Sequence, residues 1–373
     1  MGTGFFWDER CFWHAGGNYA LTLPLGGLVQ PLAAGGLPEN PETKRRLKNL
    51  LDVTGLSDHL DMRRAAPASW EDLARVHPEE FLKRFKDMSD MGGGELGLRT
   101  PFAKGGFEIA ALSAGLAKAA LLAVWNGDCE NAYALSRPPG HHCLPDWPNG
   151  FCLLNNIGIA IGAARAAGHH GRIAVIDWDV HHGNGTEAVF YDRADVLTIS
   201  LHQDRNYPTD TGFVEDRGQG EGMGFNLNIP LPPGAGHVTY LAAMERIVLP
   251  ALDQFRPDMI IIACGYDAGC FDPLARMLAT ADTFRMMTRQ VMAAAERLCA
   301  GRLVMVHEGG YSEAYVPFCG HAVIQELARS DIDAPDPMAP IVAARQPSAR
   351  MDAFVGSLID EMAQTLLPLP AQP

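Results

Sequence analysis

Asp177, Asp179 and His181 occupy alternate positions of DWDVHHGNG (177–185), which follows directly on the apolar run RIAVI. In extended backbone that spacing sends all three side chains to one side. An apolar strand has no reason to gather two carboxylates there unless a positive charge compensates them, and a metal ion would supply it. An N-capping aspartate would account for one of these acids, not for two with a histidine pair beside them. Asp267, just past the apolar run 259–264, is the candidate third ligand, although on spacing alone it fits equally a turn before Gly269. Two aspartates and one histidine leave a fourth coordination position open, as catalytic zinc sites do.

A second cluster, RPPGHHC (137–143), sets His141 and His142 on a loop that Pro138 and Pro139 stiffen and Gly140 lets turn. Adjacent histidines on a surface usually carry no function, but two on a rigid loop between PPG and the following NGFC suit acid and base work. A histidine paired with a carboxylate is fixed in one tautomer and made more basic, so that it can take a proton from an activated water and return it to a leaving amine. Asp177 is the natural partner. A third cluster, HEGGY (307–311), follows the apolar run LVMV. Its glycines allow close backbone approach, and Tyr311 either donates its hydroxyl to a developing oxyanion or opens the next helix as a core residue.

The elements needed to position these clusters are visible as a pattern. Short apolar runs at 132–136, 172–177, 196–201, 259–264 and 303–307 alternate with segments of helical period at 79–88, 107–125, 151–167, 186–191, 237–255 and 282–300. That alternation is the signature of an α/β fold with a parallel sheet and crossover helices. Ligands of such sheets bind beyond the carboxyl ends of the strands, where all three clusters fall. Residues 25–41 and 91–106, rich in glycine or proline, read as loops, and 351–366 as an amphipathic helix in a docked tail. One domain is expected over 1–373, with the motif-bearing core at 41–330 and the tail at 331–373.

Composition narrows the function. With 47% hydrophobic and 20% charged residues in 373, the chain has apolar mass enough to offset the entropy of ordering. Its 44 acidic and 30 basic residues leave a net charge of −14, the wrong sign for neutralising phosphates or docking on anionic lipid. Nucleic acid and membrane are therefore not expected as partners. The eight cysteines form no CxxC pair and read as reduced thiols. No uninterrupted apolar run reaches a membrane span, and residues 1–20 carry Asp8, Glu9, Arg10 and His14 in place of an apolar signal core, so a cytoplasmic location is expected.

The ordered motifs RPPGHH, NGFCLLNN, DWDVHHGNGT, TISLH, GYDA and EGGY, together with DLARVHPEEFL upstream, resemble those of the histone deacetylase family of the arginase/deacetylase fold. The likeness runs from about Pro41 to Gly320 and is closest to bacterial class II histone-deacetylase-like amidohydrolases. It implies a central eight-stranded parallel sheet flanked by helices, with active-site loops at the strand ends and a Zn²⁺ site beneath a narrow tunnel. Carried over residue by residue, it makes Asp179, His181 and Asp267 the zinc ligands, His141 and His142 the tandem histidines, Asp177 the partner of the first, and Tyr311 the residue that polarises the acyl carbonyl. Asn184 stands where some members place an aspartate beside the second histidine, which should leave His142 less basic.

The same resemblance implies tunnel positions at Gly150, Phe151, Tyr207 and Leu274, with Gly309 and Gly310 beside them, and a rim acid at Glu95. It also implies a K⁺ site at Asp177, Asp179, His181, Ser200 and Leu201, and a second, weaker one at Phe190, Arg193, Val196 and Phe225. The binuclear arginases of this fold carry further aspartates where this chain has Gly183 and Gly269, so guanidine hydrolysis is not expected. The activity implied is removal of acyl groups from lysine side chains of peptides or proteins. An acetylated polyamine is the alternative substrate, mildly favoured by the −14 charge and the 25–41 loop, and a non-catalytic acyl-lysine binder is the third reading. A homo-oligomer, dimer or tetramer, is expected.

Overall fold

The computed structural model describes residues 2–17, 19–24, 28–29 and 36–371. Its centre is one sheet of eight strands, all paired in parallel. In chain order they are β1 (Thr3–Phe6), β2 (Asp61–Arg63), β3 (Asn131–Ala134), β4 (Ile173–Asp177), β5 (Val196–Gln203), β6 (Asn226–Leu231), β7 (Met259–Cys264) and β8 (Leu303–His307). Across the sheet the order is β6-β5-β4-β7-β8-β3-β1-β2.

The apolar runs are continuous because both faces of the sheet are covered. Along β7, Ile260, Ile262 and Cys264 enter one core, and Met259, Ile261 and Ala263 the core on the other face. Along β4, Ala174 and Ile176 go to the first and Ile173 and Val175 to the second. The second core is closed by the helix Gly106–Trp125, whose Leu112, Leu116, Ala120 and Val124 are buried there. By length and mean hydropathy this helix is apolar enough to cross a membrane, although Glu108 and Lys118 interrupt its apolar residues; here it is a core helix.

Three strands were not expected from the sequence. TGFF and DMR are too short to show a period, and NLNIPL carries two asparagines and Pro230. Proline is tolerated there because β6 is the sheet's edge. The helix expected at 151–167 starts only at Asn156, where Asn155 caps it by accepting from the Gly158 N–H at 2.8 Å. The helix expected at 237–255 is interrupted by a π turn, Met244–Val248, just before Pro250, which has no N–H to continue the ladder.

Within 91–106, Gly93–Glu95 pairs with Pro101–Ala103 as an antiparallel ladder instead of a plain loop. Of 25–41, residues 25–27 and 30–35 lie outside the described residues. The tail is docked: Val355, Ile359, Met362 and Leu366 of the helix Ala349–Leu366 are buried in the first core. None of the eight cysteines is in a disulfide.

Candidate active site

Because β3, β8, β7 and β4 are neighbours and parallel, the loops that follow them meet at the carboxyl ends of the central strands. Those loops carry 135–155, 308–315, 265–280 and 178–183, and so all three motif clusters. Asp179, His181 and Asp267 converge there, each buried, with donor atoms all within 4.8 Å of one another. His181 Nδ1 lies 3.1 Å from Asp179 Oδ1 and 3.0 Å from Asp267 Oδ2.

Backbone amides hold the carboxylates in place: His181 N–H and Gly309 N–H donate to Asp179 at 3.0 and 2.8 Å, and Val180 N–H donates to Asp267 at 2.8 Å. Gly309 is required by space. A Cβ there would stand closer than 3.0 Å to an oxygen of Asp267 and to one of Asp179.

The electrostatics of the cluster is unbalanced. Burial and the neighbouring Asp179 push Asp267 up to about 6. Burial also disfavours the Asp179 carboxylate, but His141 and His181 outweigh it and hold that group below its ordinary range. His181 loses solvation too, yet Asp267 and Asp179 carry it up to about 10. The buried carboxylates thus face two imidazoliums, His181 between Asp179 and Asp267 and His141 on the other side of Asp179, and a cation bound among Asp179, His181 and Asp267 displaces the proton of His181.

Beside them, His141 Nδ1 is 2.9 Å from Asp177 Oδ2 and His142 Nδ1 is 2.8 Å from Asn184 Oδ1. The two imidazole rings are 4.0 Å apart. Burial opposes charge on His141, but Asp179 and Asp177 prevail and raise it well above the usual histidine range. His142 is driven the other way by burial, by His141 and by His181. Asn184 can only accept through its carbonyl, so His142 carries its proton on Nδ1 and presents Nε2 as the free base.

A cleft of about 170 Å³ opens above this floor, lined by His142, His181, Gly150, Phe151, Tyr207, Leu274 and Tyr311, with Thr22, Arg99 and Asn206. Phe151 meets Tyr311 edge to face at 5.7 Å, and Tyr207 meets His142 likewise at 5.0 Å. Gly150 adopts φ +55°, and a Cβ there would collide with the His142 ring. Burial first, then Asp267 and Asp179, push the Tyr311 hydroxyl well above the usual phenol range, so it stays a proton donor.

Several expected positions lie outside the cleft lining. Gly309 sits beneath the carboxylates and Gly310, at φ +123°, packs on Tyr266 and Val316, so neither lines the cleft. Glu95 is exposed, accepts from Tyr19 Oη and Thr100 N–H, both at 3.1 Å, and is not a lining residue. Ser200 is the cross-strand partner of Asp177, with its hydroxyl 2.9 Å from His202 Nδ1, and Leu201 is buried in the core. Phe190 and Phe225 each offer a carbonyl that already accepts one amide hydrogen, from Arg193 and Thr198; Val196 is buried, and the Arg193 side chain is half-exposed against Asp195.

Three residues that the sequence gave no role organise the site. Glu308 accepts from the Gly140 and His141 N–H groups at 2.6 and 3.1 Å, fixing the tandem-histidine loop, and burial pushes it up to about 7. Asp272 accepts from the Leu274 and Tyr311 N–H groups at 2.8 and 2.7 Å, so one carboxylate positions a cleft wall and the phenol. Arg137, buried, donates to Glu39 at 2.9 Å and to the carbonyls of Cys11 and His14. The first and last lie inside the EGGY and RPPGHH motifs; Asp272 carries no signal beyond an Asp-Pro turn.

A parallel sheet whose strand ends gather three aspartates, three histidines and a tyrosine beneath a narrow cleft defines a hydrolase-type α/β site. The chain belongs to the histone deacetylase family: the model of the histone deacetylase domain matches residues 37–327. It is 58% identical over 371 residues to a histone deacetylase-like amidohydrolase of Pseudomonas aeruginosa, spanning 100% of this chain and 98% of that one. A probable deacetylase of Archaeoglobus fulgidus is 41% identical over 303 residues, 80% of this chain and 84% of its own. The crystal structure of the HDA15 HD domain superposes with a TM-score of 0.81 at 29% identity, covering 98% of each chain.

Proposed function

We propose that this protein is a zinc-dependent amidohydrolase that removes acetyl or related acyl groups from lysine side chains of peptides or proteins. The observation that carries the reading is the buried Asp179, His181 and Asp267 cluster at the floor of a cleft that also exposes His142 and Tyr311. The donor set fits a divalent cation: two carboxylates and one imidazole, buried and converging, make three protein ligands with a fourth position open. Such a cation, when bound, would polarise an acyl carbonyl and acidify a water.

The remaining chemistry belongs to the chain. His142, neutral and with Nε2 free, takes the proton from the attacking water. His141, charged against Asp177, sits 4.0 Å away ring to ring and keeps His142 from holding that proton tightly, so His142 can pass it to the departing amine. Tyr311 donates its hydroxyl to the oxygen on which negative charge develops. Phe151, Tyr207 and Leu274 supply apolar walls for an aliphatic stem and keep bulk water from the floor.

We further propose monovalent cation sites, potassium by family resemblance. The inner one would use Asp177, Asp179, His181, Ser200 and Leu201; a small polar pocket beside Asp177 and Ser200 supports it, with Thr186 Oγ1 and Asn228 Oδ1 buried there without a hydrogen bond. The outer one would use the carbonyls of Phe190, Arg193, Val196 and Phe225. The unpaired buried thiols support a reducing, cytoplasmic setting.

The test is kcat/KM of the zinc-loaded protein on an acetyl-lysine peptide, a trifluoroacetyl-lysine peptide and acetylated polyamines, with Tyr311→Phe as control. Hydrolysis of the peptides above the polyamines supports the reading. A strong polyamine preference moves the substrate to small-molecule amides, and no hydrolysis of any member by metal-loaded protein defeats it.

A further inference from the structure

Among the described residues, Arg99 carries the only formal charge in the cleft lining apart from the histidines at its floor. It is half-buried, whereas His142 and His181 are 3% and 6% exposed, so the guanidinium stands toward the mouth and the reacting groups lie at the bottom. Its charge centre lies 5.3 Å from the centroid of the Tyr207 ring, and among the described residues it has no carboxylate partner. Glu95, four positions earlier, is engaged instead with Tyr19 and Thr100.

Two features of the backbone show that this is a held position and not a loose surface cation. Arg99 has φ +59°, a left-handed conformation that costs an arginine free energy and collects at functional sites. Its carbonyl accepts the Phe151 N–H at 3.0 Å, and the carbonyl of Leu98 accepts that of Gly150 at 3.0 Å. The segment bearing Arg99 is therefore stitched to the cleft wall, which registers the guanidinium against Tyr207.

We propose, building on the deacylase reading, that Arg99 determines specificity by charge. It favours acyl-lysine substrates with a carboxylate flanking the stem on the amine side, whether an α-carboxylate or an acidic neighbouring residue, and disfavours acylated polyamines. The side is set by geometry: the acyl group must lie at the floor with His142, His181 and Tyr311, so whatever reaches Arg99 belongs to the amine half. The overall −14 charge points toward cationic ligands, but charge spread over the surface is screened beyond about 10 Å, and Glu95, the acid nearest in sequence, is exposed and bonded to Tyr19 and Thr100, whereas Arg99 stands in the cleft lining.

A matched pair tests it: Nα-blocked Nε-acetyl-lysine as the free acid and as its α-carboxamide, which differ only in charge, with monoacetylspermidine as a third substrate. For the zinc-loaded wild type the acid should exceed the amide in kcat/KM by roughly two- to fivefold, the size of a partly exposed ion pair, chiefly through KM and less at high salt. The ratio should survive in Arg99→Lys, fall to about one in Arg99→Gln and invert in Arg99→Glu. Arg99→Gly should lose the preference while raising the unfolding midpoint, because glycine relieves the left-handed strain. An unchanged ratio in Arg99→Gln, or a wild type that prefers the amide or monoacetylspermidine, overturns the role of Arg99 while leaving the deacylase reading intact. A wild type that hydrolyses none of the three overturns both.

Discussion

Substituting Gly309 by alanine puts one methyl group where the candidate ligands converge. The built Cβ stands closer than 3.0 Å to Asp267 Oδ2 and Asp179 Oδ2 and 3.0 Å from Tyr311 Oη. The backbone at 309 is not in the left-handed region, so the cost falls on the site and not on the chain's conformation. Neither carboxylate can simply rotate away: Asp179 is held by the Gly309 and His181 N–H groups and Asp267 by the Val180 N–H.

Overpacking of this kind costs about 1 to 3 kcal/mol. If that cost falls on the metal-bound geometry, it corresponds to roughly 5- to 150-fold weaker zinc binding, and a donor displaced by ~1 Å adds a rate loss on the order of 10². Equilibrium dialysis against zinc, a thermal melt and kcat/KM read these separately. Gly309→Ala protein with a near-native melt, native zinc affinity and native turnover would refute the assignment of these carboxylates as the metal's ligands.

Tyr311→Phe should keep its zinc and lose on the order of 10² in kcat; retained turnover would remove the phenol from the mechanism. In Asn184→Asp a carboxylate replaces a neutral amide 2.8 Å from His142 Nδ1, which raises the pKa of the base and moves the acid limb of kcat/KM upward by about one unit or more; an unmoved limb would assign that limb to another group. His77, buried, has Nδ1 2.7 Å from the Pro145 carbonyl and accepts the Asn155 N–H on Nε2 at 3.0 Å. Burial lowers it to about 4. The unfolded chain therefore binds that proton first, and stability contributed by neutral His77, about 3 kcal/mol at most, is lost as pH falls from 6.5 to about 4. Urea unfolding against pH should accordingly be shallower for His77→Gln than for the wild type, and parallel curves would contradict it.

The parts of this molecule that were legible in the sequence are those where physical chemistry writes a local signal. Five of the eight strands were visible because strands buried on both faces must be apolar throughout, as MIIIAC of β7 is. The edge strands β2 and β6 have no such need, and their polar residues hid them. Asp179, His181 and the tandem histidines stood out because polar groups crowded after apolar strands demand an explanation.

Asp267 could not be raised above a turn residue by spacing, since its partners are brought to it only when β7 pairs with β4. Asp272 and Glu308 act through backbone N–H groups 39 and 168 positions away, a relation that only the fold creates. Glu95 was named as a rim acid from the resemblance alone, in a segment with no period; in the structure it is exposed and accepts from Tyr19, while Arg99 stands in the cleft lining. The helix at 151–167 was begun too early because apolar FCLL continues the helical pattern, while Phe151 in fact lies at φ +70° in the cleft wall.

The proposed deacylase activity requires a metal held by Asp179, His181 and Asp267. Chelator-stripped protein titrated with zinc while deacetylation of an acetyl-lysine peptide is followed tests it directly. Activity should be absent at the start, rise linearly and reach its plateau at one equivalent, and Asp179→Ala and His181→Ala should neither bind the zinc nor recover. Full turnover by the stripped protein, or a bound equivalent with no amide hydrolysed, would contradict the claim.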